Sequence, residues 1–162
     1  MSRRIGLDVG GVIIDAAAND GTDTDLRGDN FMKATPVADA CDSVRQLVDR
    51  YSADNIFIIS KCGVVMEDRT RRWFVGNNFY TDTGFNPANL YFCRTRAEKA
   101  PLAKRLGLTD FVDDRQDVLE YMEGIVARRY LFGLQSREVL KTGSLIIVSD
   151  WPETVASILQ EV

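Results

Sequence analysis

The chain has 162 residues, 45% of them hydrophobic and 27% charged, which is the balance of one soluble globular domain with a sizeable core. Lys and Arg number 20 against 24 Asp and Glu, and the net charge of −4 argues against a nucleic-acid coat or a polybasic membrane binder. The absence of histidine excludes Ser-His-Asp and Cys-His catalysis and His-based zinc sites, and Cys41, Cys62 and Cys93 lack the spacing of a disulfide framework or a cysteine-rich metal site.

In chain order, the first β-rich run covers residues 4–8, and its break at Asp8 and the glycines after it does not read as a signal peptide. A polar stretch over residues 15–35, rich in Asp, Asn, Gly and Thr, is expected to be a loop insert leaving the end of that strand. Thr35-Pro36 is expected to open a helix whose stripe is Val37, Ala40, Val44, Leu47, Val48 and Tyr51. A strand follows over 55–60, then a helix over about 66–76 with Trp73 and Phe74 inward. The next strand covers 90–93, and a helix runs from near Pro101 to a stop at Gly107. Strands are expected over 110–113, 130–134 and 145–149. Between and after them lie helices carrying Val118, Leu119 and Met122, and, opening at Pro152, Val155, Ile158 and Leu159.

Most strand runs are continuously apolar, as in strands buried on both faces, and strand and helix alternate throughout. The expected fold is therefore an α/β three-layer sandwich with a mainly parallel, Rossmann-like sheet, formed by one domain over 1–162. No apolar run approaches the roughly 18 residues of a membrane span, so no membrane association is expected and the reducing cytoplasm is the expected setting.

Chemistry-bearing residues fall at element boundaries. Asp8 ends the first strand, Ser60 ends the second and is followed by Lys61, Lys99 stands at a helix start, and Asp113-Asp114 end the fourth strand and are followed by Arg115. In a parallel sheet the C-terminal strand ends share one edge, so these side chains are expected to meet in one crevice. Carboxylates there suit Mg²⁺, and a hydroxyl and an ammonium beside them suit a phosphoryl group. Each residue also has a plainer role open to it: Asp8 as a turn residue, Ser60 as a cap, Lys99 as a surface lysine, and the acidic pair as a helix opener.

The motifs Ile5-Gly6-Leu7-Asp8-Val9-Gly10-Gly11-Val12, Ile58-Ile59-Ser60, Lys99 and Phe111-Val112-Asp113-Asp114 resemble, in order and across essentially the whole chain, those of the haloacid dehalogenase-like superfamily of phosphotransferases. The resemblance implies that Asp8 is a nucleophile forming an aspartyl-phosphate, that Ser60 holds a phosphate oxygen, and that Lys99 neutralises both. It also implies Mg²⁺ held by Asp8, the carbonyl of Gly10 and the pair Asp113 and Asp114, with Asp114 the direct ligand. Phosphatases of that superfamily carry a second Asp, an acid and base, where this chain has Gly10. Members without it include P-type ATPases, phosphonatases and dehalogenases.

Three outcomes therefore stand open: a Mg²⁺-dependent phosphoryl hydrolase, slowed by Gly10; a different chemistry of the same superfamily; and a phosphate-binding or regulatory protein that keeps the scaffold without turnover. Gly10, Gly11, Lys61, Arg94, Arg96 and Arg115 are expected to greet a phosphorylated small molecule or nucleotide, with no stable nucleic-acid binding. Arg69–Arg72 is expected to be a solvated helix face. Asp15 is either a loop residue or a substitute base. Cys62 is either a reactive thiol or a structural one. The Asp8-Val9-Gly10-Gly11 turn also resembles the phosphate loop of actin- and hexokinase-like kinases, which need a longer, two-domain chain.

Overall fold

A computed structural model describes residues 2–15, 26–133 and 144–160. Six strands, β1 (Ile5–Leu7), β2 (Ile56–Lys61), β3 (Leu90–Cys93), β4 (Asp110–Asp113), β5 (Arg128–Phe132) and β6 (Leu145–Val148), form one sheet in the order β3-β2-β1-β4-β5-β6. Every neighbouring pair is parallel. The helices are α1 (Ala40–Tyr51), α2 (Val64–Gly76), α3 (Phe79–Thr83), α4 (Lys99–Leu106), α5 (Gln116–Tyr121) and α6 (Trp151–Gln160). Among the described residues no helix is long and apolar enough to cross a membrane.

Alternation along the strands splits the core into two layers. In β2, Ile56 and Ile58 join a cluster with α1, α3, α6, Trp73 and Phe74, while Phe57 and Ile59 join one formed with α4 and α5. The sheet is thus covered on both faces, the three-layer, Rossmann-like α/β sandwich read from the sequence. Gly6 in β1 lets the two halves close: a Cβ there would lie 2.5 Å from the Phe111 ring and 2.6 Å from Leu108.

The chain leaves β1 towards β2 and β3, then returns to place β4 on the other side of β1. The switch point thus lies between β1 and β4, and crevices in such sheets open at the C-terminal ends there. Asp8 follows β1 and Asp113 ends β4.

The starts of α1 and of the fifth strand differ from the sequence reading. Thr35-Pro36 does not open α1. The amide of Asp15 donates to the Thr35 carbonyl (2.9 Å) and that of Val37 to the Ile13 carbonyl (2.8 Å), so this segment is pinned as an extended ribbon and the helix begins at Ala40. The fifth strand begins at Arg128, two residues before the expected start, because Arg128 pairs across the ladder with Asp110 and offsets its own charge. Leu134, its expected end, lies outside the described residues, as does the 16–25 part of the expected insert. Arg69 is not simply solvated: its guanidinium donates to the Leu26 and Gly28 carbonyls, each at 3.0 Å, and lies over the Phe31 ring.

Candidate active site

Backbone contacts fix the position of Asp8. Its amide donates to the Val112 carbonyl at 3.0 Å, which extends the β1–β4 pairing one residue past the strand. The chain then turns sharply, and the amides of Val12, Ile13 and Ile14 all donate to the Val9 carbonyl. Two buried tryptophans brace this turn and its neighbour: Trp151 Nε1 donates to the Val12 carbonyl at 2.7 Å, and Trp73 Nε1 to the Ala34 carbonyl at 2.8 Å.

Lys99, the first residue of α4, is 2% exposed. Its Nζ donates to Asp8 Oδ1 and to Asp113 Oδ2, each at 2.8 Å. Asp113 is fully buried, and its Oδ1 accepts from the Arg115 amide at 3.0 Å, so both of its oxygens are engaged. Asp8, Asp113 and Asp114 each bring a carboxylate oxygen within 4.8 Å of the other two.

Three carboxylates face one ammonium, and the titration behaviour follows from that crowding. Burial lowers the Lys99 pKa, but the charges of Asp8 and Asp113 outweigh it and hold the group above the ordinary lysine value. Burial, then the Asp8 charge, pushes Asp113 well above the usual carboxylate range and Asp114 up to about 6. The donor set is all oxygen, compact and short of positive charge, which fits a small hard divalent cation such as Mg²⁺. Asp8 and Asp114 are the carboxylates that could hold such an ion, while Asp113 bonds Lys99.

Gly11 makes room for that arrangement. Its φ is +80°, and a Cβ would stand 2.3 Å from Asp114 Oδ2. Gly11→Ala is therefore expected to cost about 1–3 kcal/mol of stability through backbone strain and to displace Asp114. Denaturant unfolding and Mg²⁺ titration calorimetry check both effects. Gly10→Ala, where a Cβ meets nothing within 4 Å, is the control for stability.

Above the carboxylates opens a cleft of about 480 Å³, lined by Asp8, Gly10, Ser60, Lys61, Arg96, Lys99, Asp114 and Arg115 among others. The cleft thus gathers most of the residues expected from the sequence. Gly11 and Asp113 lie outside its lining and act on Asp114 and Lys99 from behind. Arg94 is not part of the wall: it donates to the Cys62 carbonyl (2.9 Å) and to the Glu67 carboxylate (3.0 Å). Arg96 and Arg115 both reach Asp117, at 3.7 and 3.1 Å. Cys62 does line the cleft, but burial pushes its thiol upward despite a hydrogen bond with Ser60, which disfavours the reactive thiolate.

Asp15 also lines the cleft, and Leu26, Arg27, Met66, Thr70 and Val118 in its walls were not anticipated. Met66 and Thr70 follow from the position of α2 directly after Ser60. Leu26 and Arg27 belong to the polar insert, where no periodicity marks one residue over another.

No protein-family model matches the chain, and no curated protein matches it.

Proposed function

We propose that the chain is a Mg²⁺-dependent phosphoryl hydrolase of the haloacid dehalogenase-like kind, acting on a phosphorylated small molecule or nucleotide through an aspartyl-phosphate on Asp8. The observation that carries this reading is the buried Lys99 ammonium bridging Asp8 and Asp113 at the sheet's switch point, with Asp114 beside them. A structural ion pair needs no third carboxylate, and burying one there costs stability unless a ligand offsets it.

In this reading the phosphoryl group enters the cleft with phosphorus facing the Asp8 oxygen that Lys99 does not hold. Lys99 keeps the carboxylate oriented and offsets its charge as negative charge develops on the phosphoryl oxygens. The Ser60 hydroxyl donates to one of those oxygens. Lys61, Arg96 and Arg115 hold the rest of the anion at the rim. Mg²⁺, held by Asp8, Asp114 and the Gly10 carbonyl, supplies the remaining positive charge when bound.

Phosphate release measured over a panel of phosphomonoesters tests the proposal. Release that requires Mg²⁺ and stops on chelation is expected, and a panel with no Mg²⁺-dependent release contradicts it. One observation favours the second reading, a phosphate-binding protein without turnover: position 10 carries no side chain to move a proton.

A further inference from the structure

An alkyl phosphate does not release its alcohol readily as a bare alkoxide; the ester oxygen needs a proton as the P–O bond breaks. Given attack by Asp8 from the cleft floor, the leaving oxygen points to the mouth. The proton donor must therefore sit on the upper wall. Resting on the hydrolase reading above, we infer that Asp15 is the general acid and base of this site, in place of a side chain at position 10.

The cleft's inventory narrows the choice. Among the described residues its lining carboxylates are Asp8, Asp114 and Asp15; Asp8 is buried and Asp114 half-buried, whereas Asp15 is exposed. Lys61 and the guanidiniums of Arg27, Arg96 and Arg115 are cations that offer no basic lone pair to a water at neutral pH. Cys62 is a neutral thiol and no better as a base.

Backbone geometry places Asp15 beside the gap. The chain folds back after Gly10 so that Ile14 bridges Gly10 in parallel fashion, and the Gly11 amide donates to the Ile14 carbonyl at 2.8 Å. Asp15 is the next residue, its amide tied to Thr35, and it is exposed on the cleft wall. Trp151 holds the Val12 carbonyl three residues before Asp15, and Trp73 holds the Ala34 carbonyl next to Thr35, so the turn that carries Asp15 is braced on both strands of the ribbon. The volume beside Gly10 is open, since a Cβ there meets nothing within 4 Å.

The steps balance. As the Asp8 oxygen bonds to phosphorus and the ester P–O bond breaks, the Asp15 carboxyl gives its proton to the departing oxygen, which leaves as the alcohol. The Asp15 carboxylate then takes a proton from water as that water attacks the aspartyl-phosphate. Inorganic phosphate leaves, and Asp8 regains its carboxylate.

The test compares a small alkyl phosphate, glycerol phosphate, with p-nitrophenyl phosphate, whose leaving group departs without a proton. Both are measured with Mg²⁺ in the wild type, Asp8→Asn, Asp15→Asn, and Asp15→Asn combined with Gly10→Asp. Asp15→Asn is expected to lower kcat/KM for the alkyl ester about 10²–10⁴-fold and for the aryl ester far less. Gly10→Asp, entering open space, is expected to restore part of the alkyl rate in that background. Equal losses on both esters, or no loss while Asp8→Asn is silent, overturn the role of Asp15 and leave the hydrolase reading standing. Wild-type release confined to the aryl ester also overturns it. If Asp8→Asn releases phosphate as fast as the wild type, the hydrolase reading falls and the role of Asp15 falls with it.

Discussion

Asp8→Asn is expected to abolish phosphate release while leaving the fold intact. An amide at position 8 offers no nucleophilic oxygen to phosphorus, and loss of a covalent nucleophile costs roughly 10⁶-fold in turnover. The shape is unchanged, and Lys99 keeps its bond to Asp113 at 2.8 Å. The Asp8 charge is also among the forces pushing Asp113 and Asp114 upward, so its removal relieves crowding among the carboxylates that remain. The unfolding midpoint of Asp8→Asn is therefore expected near or above that of the wild type. Phosphate assays and thermal unfolding on the same preparation separate the chemical loss from a structural one. A variant that unfolds early would instead make the Lys99 cluster a structural ion-pair network.

The largest effect on stability is expected at the opposite end of β4. Asp110 is fully buried and accepts from Arg3 Nε at 3.2 Å, Arg128 Nε at 3.0 Å, Thr109 Oγ1 at 2.7 Å and the Tyr130 hydroxyl at 3.1 Å. Arg3 also donates to the Ile158 carbonyl, so this one carboxylate ties the N-terminal segment, β4, β5 and α6 together. Asp110→Ala strands two guanidiniums at the sheet edge. Breaking such a buried network from one side costs about 3–5 kcal/mol, which for a chain of this length lowers the midpoint by about 10 °C or more.

The pH dependence follows from the direction of its shift. Burial pushes Asp110 up, but the hydrogen bonds from Arg3, Arg128 and Thr109 outweigh that and hold it below the ordinary carboxylate value. Its contribution is therefore complete above the unfolded value of about 3.9 and is lost as pH falls through the lower folded value. Wild type and Asp110→Ala are expected to differ by a constant amount from neutral pH into mild acid and to converge only in stronger acid. Denaturant unfolding across that range checks both magnitude and sign.

The contrast between these two aspartates shows what the sequence makes legible. Asp8, Ser60, Asp113 and Asp114 each follow or end an apolar run. In a parallel sheet such ends share an edge, so their meeting can be read from order alone. The role of Asp110 cannot, because its partners Arg3, Arg128 and Tyr130 are brought in by register between strands far apart in the chain. The same pairing hid the start of β5, where two consecutive arginines look unlike a strand until Asp110 is set opposite the first. Ladder pairing also decided the start of α1: Pro36 favours a helix opening locally, but its bridge to Ile14 keeps it extended. Among the rim arginines, Arg94 and Arg96 are equivalent by composition and spacing. Their partners tell them apart: Glu67 and the Cys62 carbonyl capture Arg94, while Arg96 reaches Asp117 and lines the cleft.

A phosphoryl group on Asp8 is the most direct measure of the proposed chemistry. The wild-type chain is mixed with p-nitrophenyl phosphate and Mg²⁺, quenched in acid, and mapped by peptide mass spectrometry. The expected result is one phosphoryl group at Asp8, removed by hydroxylamine as an acyl phosphate is, and missing without Mg²⁺ or in Asp8→Asn. Phosphate release with the adduct on Ser60, or with no adduct at any residue, would contradict an aspartyl-phosphate mechanism.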